Sequence, residues 1–177
     1  MNNDLRSRLI LSTWIIGCMA ALVMVFLTGC IKPDEFPPEP MIRMVTVDKT
    51  EVEQGIEAFT FIIEFQDGDG DLGSSDSDSP SNILITDLRT PDFEGGNFKI
   101  TEEIPQRGVS GAISGEILVE YNGTCCIVGI DQCCGDVLPE SCKNVVSDTV
   151  VFTIQLLDRA GNFSNIVESP PIVIKCQ

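Results

Sequence analysis

Residues 149–157 read TVVFTIQLL, and the alternation in this stretch decides the fold class. Val150, Phe152, Ile154 and Leu156 fall on one side of an extended chain, with Val151, Thr153, Gln155 and Leu157 on the other. Successive side chains on a strand point to opposite faces, so the pattern is that of a strand with one face in a core. The β-branched and aromatic residues that fill it suit a pleated surface. Asp158-Arg159-Ala160-Gly161-Asn162 follows directly and is made of turn formers, with Gly161 suited to a bulged hairpin.

Working outward, similar short runs separated by Gly, Pro and Asp are expected to be strands at 41–47, 58–65, 83–88, 97–101, 113–121 and 171–175. No segment beyond residue 41 carries helical periodicity. The expectation is an all-β domain over residues 41–177, an immunoglobulin-like antiparallel two-sheet sandwich of about seven strands. That topology places segment 66–82 and turn 158–162 at one end. Segment 122–147 goes to the other end, where the last strand also finishes.

The chain before residue 41 is of another kind. The first 30 residues read MNNDLRSRLILSTWIIGCMAALVMVFLTGC, with Arg6 and Arg8 ahead of an uncharged run from Leu9 to Leu27. A run of this length is also long enough for a transmembrane helix, which needs about 20 residues. Leu27-Thr28-Gly29-Cys30 at its end argues for a cleaved signal helix over residues 1–29. The motif resembles the lipobox of bacterial lipoproteins, which implies cleavage before Cys30 and acyl chains, palmitate among them, on that cysteine. Each buried CH₂ contributes about 0.8 kcal/mol, so two or three chains anchor stably where one does not. Residues 30–40 then carry prolines at 33, 37, 38 and 40, which suit a semi-rigid tether of roughly 30 Å. Lys32, Asp34 and Glu35 weakly resemble the surface-export tag of some Bacteroidetes-type lipoproteins, and equally suit a solvated linker.

Charge narrows the function classes. The chain has 11 basic and 27 acidic residues; loss of Asp4, Arg6 and Arg8 with the signal leaves 9 and 26, net −17. A polyanion of this size is repelled by nucleic acid and attracts cations. There is no histidine, which removes the commonest general base and the commonest metal ligand.

Segment 66–82, QDGDGDLGSSDSDSPSN, is the place where cations would gather. Asp67, Asp69 and Asp71 alternate with glycines, Asp76 and Asp78 follow, and the fold brings Asp158 and Asn162 to the same end. A hard cation such as Ca²⁺ takes about six to eight oxygens, and a tight turn presenting three carboxylates suits it. The loop is not an EF-hand, because Leu72 stands where that motif needs glycine and Asp78 where it needs glutamate. Carboxylates about 5 Å apart repel by roughly 3 kcal/mol at an effective dielectric near 20, and by under about 1 in water. An exposed loop therefore tolerates the cluster without a metal, and Ca²⁺ on Asp67, Asp69, Asp71, Asp78 and Asp158 is the sharper expectation.

The two motifs Phe65–Gly73 and Leu157–Ser164 together resemble small Bacteroidetes-type lipoproteins with an immunoglobulin-like domain. The resemblance implies the fold and an outer-membrane location, facing periplasm or cell surface, and assigns no biochemical activity.

Eight cysteines are present; Cys18 leaves with the signal and Cys30 is lipidated. Cys125, Cys126, Cys133, Cys134, Cys142 and Cys176 remain, and an even number in an exported chain reads as disulfides. Six cysteines allow about 15 pairings, and excluding the two strained vicinal pairs leaves about 10. Segment 122–147 spans 26 residues, long for an unsupported loop, so staples there would explain its order. Cys176, at the end of the last strand, is expected to pair into that loop. A thiolate metal site is disfavoured, because the spacing lacks C-x₂-C.

The functional expectation is a non-enzymatic binding or structural accessory module, held to the bilayer through Cys30, with an envelope protein or glycan as partner. The alternative is a carboxylate-based hydrolase such as a glycosidase. Against it, the acids lie in turns, Trp14 is lost with the signal, and Tyr121 is the only tyrosine.

Overall fold

The alternating run around Phe152 and the apolar run after it form one long hairpin, broken at its middle. The computed structural model describes residues 36–76, 80–90, 94–101, 104, 111–129, 131–134 and 138–176. The signal segment, Cys30, the first half of the tether and Asp78 lie outside these residues. The described residues belong to one compact unit, Glu35–Gln177.

This unit is all-β. Its strands are β1 (Met41–Val47), β2 (Glu51–Glu53), β3 (Phe59–Asp67), β4 (Ile83–Asp87), β5 (Glu94–Phe98) and β6 (Ile113–Tyr121). Next come β7 (Ile127–Val128), β8 (Asp131–Gln132), β9 (Ser147–Val150), β10 (Phe152–Leu156), β11 (Val167–Glu168) and β12 (Ile172–Lys175). One 3₁₀ turn spans Glu140–Cys142. Three sheets run β1-β3-β6, β11-β10-β4-β5 and β2-β12-β9, and β7 pairs with β8. All pairings are antiparallel except β2 with β12.

Among the described residues twelve strands stand where about seven were expected, and local chemistry accounts for part of the difference. The strand expected at 149–157 is divided into β9 and β10, and its partner into β11 and β12. The break in the partner falls at Pro170-Pro171, and proline has no N–H to give a ladder. Ser169 repairs the gap: its hydroxyl accepts the Phe152 N–H at 3.0 Å, while its own N–H donates to the Phe152 carbonyl at 2.8 Å. Past the prolines the ladder resumes, pairing Val150 with Ile172 and Ser147 with Lys175. The strand expected at 97–101 runs Glu94–Phe98, because Ile83 and Leu84 pair with Phe98 and Asn97. β2 is three residues long with glutamate at both ends, so alternation could not expose it.

The core joins the sheets. Phe59 and Phe61 of β3, Tyr121 of β6 and Phe152 of β10 form an aromatic cluster with centroid separations of 4.9 to 6.2 Å. Ile63, Ile85, Ile154, Leu156, Ile172 and Ile174 pack around it fully buried, each contributing about 1.5–3 kcal/mol by leaving water.

The end of the unit that holds the C-terminus is stapled. Disulfides join Cys125 to Cys134, Cys126 to Cys176 and Cys133 to Cys142. Cys176 thus pairs into segment 122–147, and no vicinal pair is bonded. In the loop-entropy account the Cys126–Cys176 bond, separated by 50 residues, contributes about 4 kcal/mol. Each nine-residue separation contributes about 3 kcal/mol. Gln54 beside β2 completes the staple, its Nε2 donating to the Cys133 carbonyl at 2.5 Å and its Oε1 accepting the Cys126 N–H at 3.1 Å.

Candidate metal centre

At the opposite end of β3 the chain enters the acidic loop. β3 carries its burial through Phe65, Gln66 and Asp67, so the first aspartate of the loop is 0% exposed. Leu72, also fully buried, pulls the loop back onto the core five residues later. The reversal brings the Asp71 and Leu72 N–H groups onto Asp67 Oδ2, at 3.1 and 3.2 Å. Gly70 makes it possible: its φ of +71° lies in the left-handed region, which a side chain would disfavour.

This turn converges three carboxylates. One oxygen each from Asp67, Asp69 and Asp71 can be chosen such that all lie within 4.8 Å of one another. Asp67 is buried, Asp71 is half-buried and Asp69 is exposed, so the cluster faces inward at one end and solvent at the other. Asp67 Oδ1 and Asp71 Oδ1 are both buried and accept no hydrogen bond among the described residues. No ion pair recorded among the described residues reaches Asp67 or Asp71. Buried polar atoms are almost always satisfied, and charged ones at greater cost if they are not. Two orphaned carboxylate oxygens in one turn therefore fit a hard cation that would supply the missing partner.

Protonation responds to the same geometry. Burial, reinforced by the charge of Asp69, pushes the Asp67 carboxyl up to about 6, with the Leu72 N–H opposing. Asp71 is also raised, first by burial and then by the charges of Asp158 and Asp69, with the Ala160 N–H opposing.

The turn between β10 and β11 closes over this loop. Asp71 Oδ2 accepts the Ala160 N–H at 3.0 Å, the Asp71 carbonyl accepts the Arg159 N–H at 3.4 Å, and Arg159 Nη1 donates to the Gly73 carbonyl at 2.9 Å. The loops expected to share an end are therefore in direct contact. Asp158, expected among the ligands, is engaged within its own turn. Its Oδ1 and Oδ2 accept the Asn162 N–H and Nδ2 at 2.7 and 2.9 Å, closing its own turn. It acts on the centre through its charge on Asp71 and is not among the three converging carboxylates.

Two contributors were not legible in the sequence. Asn82 ends the loop: its Oδ1 accepts the Ile100 N–H at 2.7 Å, and its carbonyl accepts the Leu157 N–H at 3.0 Å. The tether is the other, for the Pro37 carbonyl accepts the Gly68 N–H at 2.9 Å. A Cβ on Gly68 would collide with the carbonyl oxygens of Phe36 and Pro37. An Asn in a Ser/Pro-rich stretch and a Gly in an acidic run both look like ordinary turn residues, so neither carried a signal.

Comparison with protein-family models, curated proteins and solved structures found no match to this chain.

Proposed function

We propose that this chain is a lipid-anchored, non-enzymatic binding or structural accessory module of the bacterial envelope. In this reading it is held to the membrane, by preference the outer membrane, through acylated Cys30, and a calcium ion orders one end. The sequence Leu27-Thr28-Gly29-Cys30 and the proline-rich segment after it support the anchor. The neighbour orders β1-β3-β6 and β5-β4-β10, with β9 and β12 continuing the hairpin of β10, support an immunoglobulin-like two-sheet sandwich. An envelope protein or a glycan is the partner class such a module serves.

The observation that carries the calcium reading is the pair of buried, unpartnered oxygens, Asp67 Oδ1 and Asp71 Oδ1. Asp67, Asp69 and Asp71 would hold the ion, which would supply positive charge in place of a proton. Three carboxylates in a glycine-rich loop suit an extracellular-type Kd of about 10⁻⁴ to 10⁻³ M. Binding only to the folded state at 100 times Kd stabilises by about 2.7 kcal/mol, a rise of roughly 9 °C in Tm for a domain of this size. Mg²⁺ should do less, because it dehydrates reluctantly and demands tighter geometry.

Melting curves in chelator and in about 10–100 mM calcium, 100 times that range of Kd, test the reading. The wild-type curve should shift upward with calcium and the Asp69→Asn curve should not. Superimposable wild-type curves would return the loop to a solvated acidic turn.

A further inference from the structure

We infer that the cation held by Asp67, Asp69 and Asp71 also latches the membrane tether onto the domain, so that calcium sets how much of the tether is free. The inference rests on the calcium reading above.

Gly68 is the shared residue. It stands between two of the carboxylates, and its N–H is the donor to the Pro37 carbonyl. Its φ is not in the left-handed region, so an alanine there would meet no backbone strain. What requires glycine is the close approach of the Phe36 and Pro37 carbonyl oxygens. Four residues later Met41 pairs with Gln66 on β3, directly before Asp67. The tether therefore enters the domain along the strand whose end carries the centre.

Electrostatics couples the two. Two carbonyl oxygens, the negative ends of their dipoles, lie against a loop that already carries three carboxylates. The described part of the tether adds Glu39. Without a cation these like charges oppose docking, and a divalent ion in the loop reverses the balance. Coupling of this kind is reciprocal: whatever factor calcium adds to docking, docking adds to calcium affinity. Docked at Pro37, the spacer from Cys30 ends there. Released, it runs on to Met41, roughly 10 Å further in an extended proline-rich conformation.

The test uses the full chain in detergent with two measurements. Calcium titration calorimetry reads the ion, and a glutamate-specific protease reads the tether through cleavage at Glu35–Phe36, which an undocked chain presents freely. Calcium should slow that cleavage about 5-fold or more, within the usual range of coupling. Cleavage after exposed Glu140, in the stapled end, should keep its rate, which separates docking from general stabilisation. Gly68→Ala should cleave fast with or without calcium and weaken calcium binding by the factor that wild-type cleavage slows. Calcium binding with an unchanged rate at Glu35–Phe36 would overturn the latch and leave the ion site standing. No heat of calcium binding would remove the ion site, and the latch with it. The wild-type comparison decides both, whether or not Gly68→Ala folds.

Discussion

At Asp67 burial and a neighbouring charge act in the same direction, and the consequence is a measurable pH dependence. Its carboxyl is raised from 3.8 to about 6 in the folded protein. Between about pH 4 and 6 the folded state therefore binds more protons than the unfolded one, and stability falls as pH rises through that window. The penalty is absent below the unfolded value and complete above the folded one. In chelator, urea midpoints of the wild type should decline from pH 4 to 6.5, while those of Asp67→Asn should be flatter. An asparagine carbonyl can still accept the Asp71 and Leu72 N–H groups, so the variant tests charge more than shape. Parallel profiles for the two proteins would mean that Asp67 does not titrate in this range. Calcium should flatten the wild-type profile, because the ion replaces the proton as partner.

At the scale of elements, the β10–β11 hairpin shows how a single side chain holds a ladder that proline interrupts. Alternation in 149–157 and the turn formers after it made this hairpin legible, and Phe152, Ile154 and Leu156 are buried as their spacing requires. The repair across the break between β9/β10 and β11/β12 was not legible, because it depends on the Ser169 hydroxyl standing opposite the Phe152 N–H. Ser169→Ala would leave that buried donor unpaired, at a cost of about 1–3 kcal/mol, readable by urea denaturation. Ser169→Thr keeps a hydroxyl and should recover part of the loss. An alanine variant as stable as wild type would show that water takes over the bond. β2 was invisible for a related reason: only Val52 of its three residues is buried, and its partner β12 is more than 100 residues away.

For the whole molecule, the two ends of the domain differ in kind, with three disulfides at one and three converging carboxylates at the other. The proposed anchor belongs to this scale, since it would decide where both ends work. Cys30→Ala should leave an uncut precursor that incorporates no labelled fatty acid, and labelling of that variant would overturn the lipid assignment. The sequence by itself determined the class of structure, because that class is written in local chemistry. Period-two alternation marks strands whatever their partners, and an even number of cysteines beyond residue 30 marks a chain that can close on itself through disulfides. Only the tertiary structure decided which cysteines pair, because three bonds among Cys125, Cys126, Cys133, Cys134, Cys142 and Cys176 depend on where strands end in space. It alone decided the burial of the acidic loop as well. The spacing of Asp67, Asp69 and Asp71 is compatible with a solvated turn and with a cation site. Burial of Leu72 draws Asp67 out of water and leaves its Oδ1 unpartnered, and burial is a property of the packed chain that local spacing does not contain.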